Sequence, residues 1–570
     1  MCGIAGVWGG ERQRVERMIA SMGHRGPDRQ SVASIDDVHL GCARLEIRGG
    51  ARGDQPLRTP RGTLVFNGEI YNSDELVKDL AQHDIEVSGD SDTEIVAWLL
   101  TVYGLRAVDR LNGMYALAWH DGRTLSLARD PAGVKPLYYR GNAFCSTITP
   151  LLDDGRALNP NAVARWLTFH VAYGEETFFE GVRRVPAGGI VELPDERVQR
   201  YQAPGFVFGT PNPALNEDRL AKVLERAMRD ASPSEGRYGV ALSGGIDSTL
   251  VAALSVGDRV GYHGHVAHEG CDESAFARAA AKEIGIPLVE VPVTAEACWR
   301  VLPDVVRALE EPVAGPGSLA QYVVAERAAQ DVRVMLSGCG GDELFGGYAR
   351  SVALVHRDPP AGWENYAPLF ARARDEPTGV RAYELLQRRD GALFEADFLA
   401  EHAAPRDAFV EAFDEGGLGP LAAAARVEMQ IVLPGLLQVE DRVTMAHSLE
   451  SRVPLLDRRL LKVATRLSED ARVDAAGHAK VMLRAAAARF LPEAVRDRRD
   501  KMGFPLPLGE WFAGPWREPA REILLDPRTR RRGWIDTRAA EAALTGHARY
   551  DRGLYSALLF AVWCETFLHD

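Results

Sequence analysis

The sequence lacks the features that mark secreted, membrane-bound or nucleic-acid-binding proteins. Its first residues contain no basic segment followed by an apolar one, so we expect no signal peptide. The longest apolar run near the carboxyl end, residues 554–564, is too short to span a bilayer. No block of lysine and arginine interrupts a net charge of −13, which argues against a nucleic-acid partner. We therefore predict a cytoplasmic protein with no membrane or nucleic-acid partner.

Cysteine pairs, histidine clusters and the commonest phosphate motif are also missing. Seven cysteines are scattered over 570 residues, and this odd number fits reduced thiols better than a disulfide framework. No CxxC pair or histidine cluster predicts a structural metal. No Gly-Lys-Ser/Thr follows a glycine-rich loop, which excludes a Walker A site. The composition, 46% hydrophobic and 26% charged, is that of an ordinary globular protein.

A glycine-rich turn, Ser-Gly-Gly-Ile-Asp-Ser at 243–248, organises the carboxyl-terminal part of the chain. Residues 238–242 are typical of a short strand and residues 248–255 of an apolar helix. A turn from strand into helix presents backbone N–H groups that no helical carbonyl satisfies, which favours a bound anion. The glycines alone would predict only a tight turn. The serines and the aspartate among them favour a phosphate site.

This turn resembles the PP-loop of the ATP pyrophosphatases, which cut ATP to AMP and pyrophosphate. A second glycine-rich stretch, residues 337–348, follows a predicted strand at 332–336 and resembles the second nucleotide motif of asparagine synthetases. The resemblance implies ATP as a substrate, bound by Leu242, Ser243, Gly244, Gly245, Asp247, Ser248, Ser337 and Gly338.

The same resemblance implies a magnesium site and a catalytic lysine. Asp247 and Asp342 would bind Mg²⁺ on the pyrophosphate, since Mg²⁺ usually takes one or two carboxylates together with phosphate oxygens. Lys501 would neutralise charge on the α-phosphate in the transition state, with Lys480 as the second choice. A buried charged network of Arg442, Glu450 and Arg452 is expected near the acceptor pocket.

The amino-terminal part contains a second set of motifs. Cys2 becomes N-terminal if Met1 is removed, and its own α-amino group, which titrates near about 8, is then a base for the thiol. A lone Cys2 often has no role. Here it precedes HRGPD at 24–28, RL at 44–45, QP at 55–56, NGEIYN at 67–72 and SDTE at 91–94. In this order the set resembles the class II glutamine amidotransferase domain, an N-terminal-nucleophile hydrolase.

The resemblance implies how glutamine is hydrolysed to glutamate and ammonia. Cys2 would attack the side-chain amide, while the Asn67 side chain and the Gly68 backbone N–H stabilise the oxyanion. The residues implied in glutamine binding are Arg44, Asn67, Gly68, Glu69 and Asp92, with the arginine on the α-carboxylate and the two acids on the α-ammonium. The sequence departs from the family where Cys42-Ala43 replace the usual basic residues.

Two domains are predicted from the two motif sets. Residues 1–205 would form an α+β N-terminal-nucleophile sandwich with layers αββα, and residues 206–570 an α/β PP-loop domain with a parallel sheet and a helical carboxyl-terminal part. The boundary falls in a proline- and glycine-rich stretch at 201–213. Predicted strands of the first domain are 63–66, 114–119 and 124–128, and its predicted helices are 73–82 and 93–103.

The whole chain resembles the glutamine-hydrolysing asparagine synthetases, which implies that ammonia attacks a carboxylate adenylated by ATP. Aspartate is the first expectation for the acceptor, and a homodimer is a family-level expectation. Cys339 stands where the family usually has an acidic residue, which favours another carboxylic acid, in specialised metabolism, as the alternative. A β-lactam synthetase-like cyclase, which needs no ammonia, and a catalytically silent glutamine and nucleotide sensor are the remaining alternatives.

Overall fold

The computed structural model describes residues 2–152, 156–171, 173–201, 208–313, 315–387, 393–402, 406–496, 498, 504–546 and 552–568. The chain divides into two units. Unit 1 consists of Met1–Ala157, Gly174–Val207 and Thr444–Arg452. Unit 2 consists of Leu158–Tyr173, Phe208–Val443 and Val453–Asp570. A short segment late in the sequence, Thr444–Arg452, therefore belongs to unit 1.

Unit 1 is built on two antiparallel sheets. Its strands are β1 (Cys2–Trp8), β2 (Arg29–Ile35), β3 (Val38–Arg44), β4 (Leu57–Thr59), β5 (Gly62–Ile70), β6 (Gly113–His120), β7 (Leu125–Arg129), β8 (Tyr138–Arg140), β9 (Ala143–Cys145), β10 (Arg183–Arg184), β11 (Gly189–Leu193) and β12 (Arg197–Arg200). The first sheet has the order β10-β8-β9-β1-β3-β2 and the second β12-β11-β7-β6-β5-β4. The three predicted strands are present as β5, β6 and β7, with β5 longer than expected because it continues through the NGEI residues.

Helices cover the outer faces of these two sheets. They are α1 (Arg12–Ser21), α2 (Ser73–Ala81) and α3 (Asp92–Tyr103). The apolar face of α1 lies so close to β3 that a Cβ on Gly41 would be 2.6 Å from Ile19. The faces of α2 and α3 pack on the second sheet in one buried cluster, and a separate cluster fills the space between the sheets. The predicted αββα sandwich is confirmed.

The sheet of unit 2 is parallel. Its strands are β13 (Tyr238–Ala241), β14 (Arg259–His265), β15 (Leu288–Pro292) and β16 (Val334–Leu336), in the order β15-β14-β13-β16. The first helices of unit 2 are α4 (Pro160–Phe169), α5 (Glu217–Ala231), α6 (Ile246–Leu254), α7 (Ser274–Ile284), α8 (Ala295–Leu309) and α9 (Gly317–Ala328), of which α6, α7 and α9 pack on the strands. Strands β13 and β16 are neighbours and parallel. The two glycine-rich stretches that follow them therefore start at the same edge of the sheet, where open α/β sheets bind ligands.

The rest of unit 2 is helical, as predicted. The further helices are α10 (Gly341–Phe345), α11 (Ala349–Val355), α12 (Ala367–Arg372), α13 (Thr378–Leu386), α14 (Ala396–Glu401), α15 (Arg406–Asp414), α16 (Pro420–Val427), α17 (Leu433–Met445), α18 (Arg458–Ala464), α19 (Glu469–Arg472), α20 (Val481–Ala487), α21 (Glu493–Arg496), α22 (Leu508–Ala513), α23 (Arg517–Leu524), α24 (Pro527–Arg532), α25 (Thr537–Leu544) and α26 (Arg552–Phe567). A last strand, β17 (Glu450–Arg452), lies in the segment that joins unit 1.

Two apolar helices bear on the predicted absence of a membrane span. The run at 554–564 lies in α26 and is core, since Trp563 is fully buried and its Nε1 donates to the Glu310 carbonyl at 2.9 Å. The continuous helical stretch Pro420–Met445 is long and apolar enough to cross a membrane by length and composition. Within it, 61% of the apolar window is buried in the protein, as in a core helix.

Candidate active sites

The first candidate site is a cavity in unit 1 at the start of β1. It is lined by Cys2, Arg44, Leu45, Ile47, Arg48, Gly53, Gln55, Phe66, Gly68, Glu69, Ser91, Asp92, Thr93 and Glu450. The expected nucleophile, the expected carboxylate-binding arginine and the expected ammonium-binding acids thus share one cavity. Antiparallel pairing sets Cys2 on β1 opposite Arg44 on β3, which brings the expected nucleophile and the expected arginine together.

Asn67 and Gly68 lie next to Cys2 on β5. The fully buried Asn67 accepts a hydrogen bond from the Cys2 backbone nitrogen on its Oδ1 at 3.0 Å. Its Nδ2 is buried and has no hydrogen-bond partner within the described part of the chain. Only glycine fits at position 68, because β6 lies so close that a Cβ there would collide with the Met114 carbonyl oxygen. A buried amide donor without a partner beside a thiol has the character of an oxyanion-hole donor.

Cys42, noted in the sequence only as a departure, stabilises the Cys2 thiolate. The register pairs Cys42 with Ile4 on β1, two pairs along from Cys2 and Arg44, so its side chain lies on the same face as that of Cys2. A hydrogen bond from Cys42 lowers the pKa of the Cys2 thiol to about 6, with burial acting in the opposite direction and Arg44 adding to the lowering. The Cys42 thiol itself has a pKa well above its ordinary value. The pair thus consists of one nucleophile and one donor.

Arg44 is held firmly at the cavity wall. Its Nη1 lies 2.7 Å from Asp54 Oδ1, and its Nη2 donates to the Gly50 carbonyl at 2.7 Å and the Arg48 carbonyl at 3.2 Å. Only 7% of the side chain is exposed. An immobilised guanidinium that faces a cavity is suited to a carboxylate ligand.

Gln55 is a residue of the site to which the sequence assigned no role. It exchanges two hydrogen bonds with the backbone of Phe66, with its Oε1 accepting at 2.5 Å and its Nε2 donating at 2.9 Å. The same Nε2 lies 3.9 Å from Cys2 Sγ. Gln55 therefore ties the end of the loop before β4 to β5 and sets one wall beside the thiol.

Glu69 and Asp92 lie side by side, as the resemblance implied. Glu69 is contacted through Oε1 by Arg48 Nη1 at 3.3 Å and through Oε2 by Arg452 Nη2 at 3.0 Å. Asp92, the first residue of α3, accepts from the Ile70 nitrogen and the Ser73 hydroxyl, both at 3.1 Å. Burial raises the pKa of Glu69 to about 8 and also raises that of Asp92, although the neighbouring arginines act against it.

Of the predicted network of Arg442, Glu450 and Arg452, the expected pair of Glu450 and Arg452 is present, whereas Arg442 pairs with a different acid. Arg452 lies 2.6 Å from Glu450 and also contacts Glu69, all inside unit 1. Arg442 belongs to unit 2, where it pairs with Glu310 at 3.0 Å. Burial raises the pKa of Glu450, but the amino-terminal charge, Arg452 and Lys135 lower it to about 2. Glu450 lines the Cys2 cavity, and Arg452 contacts Glu69 in the wall of that cavity.

The second candidate site is formed by the loop after β13, in unit 2. Gly244 has φ +72°, and a Cβ there would lie 2.5 Å from the backbone of Phe276, so only glycine fits. The hydroxyls of Ser243 and Ser248 are 3.0 Å apart, and Gly245 N lies 3.4 Å from Ser243 Oγ. The loop is thus closed by its own serines at the start of α6, where free N–H groups favour an anion.

The loop after β16 packs directly on the first loop. A Cβ on Gly338 would lie 3.0 Å from the Asp247 carbonyl carbon, and a Cβ on Gly341 would lie 2.5 Å from Asp247 Oδ1. Glycine at both positions permits this approach. Ser337 accepts from the Cys339 nitrogen at 3.3 Å, and the buried Leu242 is fixed by its backbone between β13 and β14. The predicted ATP residues therefore lie in these two loops and in the first turn of α6, which holds Asp247 and Ser248.

Lys480 lies between the two predicted magnesium ligands. Its Nζ is 2.5 Å from Asp247 Oδ2 and 2.6 Å from Asp342 Oδ1. Asp247 Oδ1 is buried without a hydrogen-bond partner within the described ranges. A cation-binding gap between two carboxylates, with one oxygen unused, fits Mg²⁺. Lys501, the preferred catalytic lysine of the sequence, lies outside the described residues.

A metal at this place would depend on its substrate. No group of three or more His, Cys, Asp and Glu side chains that could hold a metal ion occurs among the residues that the structure describes. Two carboxylates leave most of the octahedral shell of Mg²⁺ to phosphate oxygens and water. The donor set is therefore that of a metal bound together with a nucleotide.

Cys339 is half-buried in a group of acids. Burial raises the pKa of its thiol well above the ordinary value, and Glu343, Glu440 and Asp342 raise it further. The thiol is therefore uncharged and cannot replace the carboxylate of the family. Glu343 itself accepts from the Tyr348 hydroxyl, and burial raises its pKa to about 7.

Comparison with known proteins places both sites in a family. Residues 219–565 match the family described as asparagine synthase, and residues 1–202 match the glutamine amidotransferase domain. A putative asparagine synthetase (glutamine-hydrolyzing) of Mycobacterium bovis is 31% identical over 100% of this chain and 97% of its own length. Asparagine synthetase (glutamine-hydrolyzing) 1 of Bacillus subtilis is 29% identical over 99% and 96%. Amidase chry2 of Gibberella zeae is 26% identical over 96% and 93%. The chain belongs to the asparagine synthase family and carries a glutamine amidotransferase domain at its amino-terminal end.

Proposed function

We propose that the protein hydrolyses glutamine in unit 1, adenylates aspartate with ATP in unit 2, and joins the released ammonia to the activated carboxylate. The products are glutamate, asparagine, AMP and pyrophosphate. The observation that carries the proposal is the Cys2 cavity, in which an activated thiol, an amide donor without a partner among the described residues, a fixed arginine and an acid pair surround one space. The family match supports the second reaction.

The glutaminase reaction begins at Cys2. Removal of Met1 turns the Cys2 nitrogen, 3.0 Å from Asn67 Oδ1, into an α-amino group that takes the thiol proton. The thiolate attacks the side-chain amide of glutamine, and the oxyanion receives hydrogen bonds from Asn67 Nδ2 and the Gly68 N–H. The α-amino group of Cys2 returns the proton to the amide nitrogen of glutamine, the C–N bond breaks, and ammonia leaves. Water then cleaves the thioester to give glutamate. Arg44 holds the α-carboxylate and the Glu69–Asp92 pair the α-ammonium.

The synthetase reaction takes place at the two glycine-rich loops. The loop of Ser243 and Ser248 binds the pyrophosphate part of ATP, and Ser337 with Gly338 binds the adenylate. Mg²⁺, when bound by Asp247 and Asp342, supplies charge neutralisation at the phosphates. The acceptor carboxylate attacks the α-phosphorus and pyrophosphate leaves, with Lys480 or Lys501 balancing the charge. Ammonia then displaces AMP from the acyl carbon.

The test is a product balance. Purified protein with glutamine, ATP and Mg²⁺ is incubated with and without aspartate, and glutamate, AMP and asparagine are measured. We expect aspartate-dependent AMP and asparagine in equal amounts. A Cys2→Ala variant should lose glutamine-dependent synthesis but keep synthesis from free ammonia. If AMP formation does not depend on aspartate, aspartate is not the acceptor, and if a folded Cys2→Ala variant loses both activities, two separate sites are refuted.

Cys339 favours a second candidate, in which the acceptor is another carboxylic acid. An uncharged thiol cannot form the ion pair that an acidic residue would offer at this position. A relative named as an amidase adds support. A panel of small carboxylic acids, screened by acid-dependent exchange of pyrophosphate into ATP, would identify the acceptor. Exchange that is strongest with aspartate would refute this candidate.

Three further points stay predictions: a domain boundary after residue 205, a homodimer, and a cytoplasmic location. Limited proteolysis, which prefers exposed linkers, tests the first. Sedimentation and fractionation of the producing cells test the other two.

A further inference from the structure

The cavity beside Cys2 contains a second arginine, Arg48, which the sequence motifs did not indicate. Its Nη1 lies 3.3 Å from Glu69 Oε1 and 3.9 Å from Asp92 Oδ1. Its Nη2 donates to the Gly89 carbonyl at 3.3 Å. Arg48 therefore contacts both acids that, on the proposed function, receive the α-ammonium of glutamine.

Only one cation can occupy this place at a time. The other oxygen of Glu69 is already paired with Arg452 at 3.0 Å, and the oxygens of Asp92 accept from Ile70 and Ser73. A further cation must therefore approach the two acids from the cavity side, where Arg48 lies. Two positive groups held within a few ångströms of each other repel, most strongly where little water screens them. An arriving ammonium must therefore displace Arg48.

The two arginines of the cavity differ in their freedom to move. Arg44 is 7% exposed and is bound by Asp54 and two carbonyl oxygens. Arg48 is 31% exposed, and besides its contacts with the acids it donates to one backbone carbonyl, that of Gly89. A long, partly solvated side chain can turn its charged end into water at small cost. Arg48 can leave the acids, while Arg44 stays in place for the α-carboxylate.

We infer that Arg48 is a specificity-determining residue of the amide-donor site: it fills the ammonium subsite of the empty cavity, so that a donor with an α-ammonium must displace it, whereas a donor without one binds with Arg48 in place. The inference rests on the proposed glutaminase reaction. Arg48 acts by competing with the donor and takes no part in the chemistry at Cys2, so it affects KM and leaves kcat unchanged.

The experiment compares R48Q with R52Q and R48K in glutamate release from glutamine. Arg52 is a matched control, because it is 60% exposed and its charge lies outside the cavity. We expect R48Q to lower KM for glutamine about fivefold, the size of a partly exposed ion pair, at unchanged kcat. R52Q and R48K should keep the KM of the wild type.

A second donor separates competition from a structural effect. Glutaramate is glutamine without the α-amino group and cannot replace Arg48 on the acids. R48Q should therefore increase the preference for glutamine over glutaramate by at least the same factor. A higher KM for glutamine in R48Q, or an equal change in R52Q, would overturn the inference. Absence of glutamine hydrolysis by the wild type would instead overturn the proposed function itself.

Discussion

Replacing Cys42 by alanine is expected to raise the pKa of the Cys2 thiol and to move glutamine hydrolysis to higher pH. The hydrogen bond from Cys42 is the largest cause of the lowered Cys2 pKa, which is about 6 against an ordinary value of 9.0. A hydrogen bond to a charged group contributes about 1.5–3 kcal/mol, and one pKa unit corresponds to about 1.4 kcal/mol. Loss of the bond should therefore raise the pKa by about 1–2 units.

The consequence is a large loss of thiolate in mildly acidic solution. At pH 6 the ionised fraction of Cys2 should fall from about one half to about a tenth or less. The assay is the rate of alkylation of Cys2 by iodoacetamide between pH 4.5 and 9, followed by mass spectrometry of the amino-terminal peptide. The pH profile of kcat/KM for glutamine should shift in the same direction.

Two variants control this experiment. C42S keeps a donor at the position and should shift the pKa less. C145A removes a buried thiol from β9 of the same sheet, where Cys145 contacts Met22 and Thr147. An unchanged alkylation profile in C42A, or an equal shift in C145A, would refute the hydrogen bond as the cause.

The remaining predictions concern the oxyanion donor, the acid pair and the contact between the loops. Asn67→Ala should lower kcat for glutamine by about 10²–10³, because one oxyanion donor is lost, while ammonia-dependent synthesis continues; equal loss of both activities would contradict this. Burial raises the pKa of Glu69 to about 8, so the ionised fraction of Glu69, and with it the attraction of the acid pair for an ammonium, increases as pH rises toward that value. The Kd of a Cys2→Ala protein for glutamine should therefore fall as pH rises from 6 to 8, and Glu69→Gln should flatten the curve. Gly341→Ala should raise KM for ATP and spare glutaminase activity, because its Cβ would lie 2.5 Å from Asp247 Oδ1; an unchanged KM would refute the packing argument.

Most elements and motif residues could be predicted from the sequence, because they depend on local rules. Strands β6, β7 and β13 and helices α2 and α3 begin and end within one or two residues of the expected places. Apolar periodicity and turn residues set such boundaries locally. Cys2, Asn67 and Asp247 were found because their chemistry demands particular residue types in a particular order.

The assignments that failed or were missed depend on partners distant in sequence. Glu450 and Arg452 were expected beside Arg442, their neighbour in the chain, but Arg452 pairs with Glu69. The segment that carries them joins unit 1, where Ser448 donates to the His24 carbonyl 424 positions away. A charged residue needs a counter-ion when it is buried, but the sequence does not show which residue is that counter-ion.

The sequence by itself indicated the family and the two candidate sites, since the glycine turns, the acids and Cys2 stand in the family's order. The tertiary structure alone decided the surroundings of these sites: which thiol lowers the pKa of Cys2, which arginine contacts the acid pair from the cavity, and which cation lies between Asp247 and Asp342. The physical reason is that pKa values and charge pairing depend on burial and on distances of a few ångströms. Folding brings together residues that no local sequence pattern connects, and it thereby sets those distances.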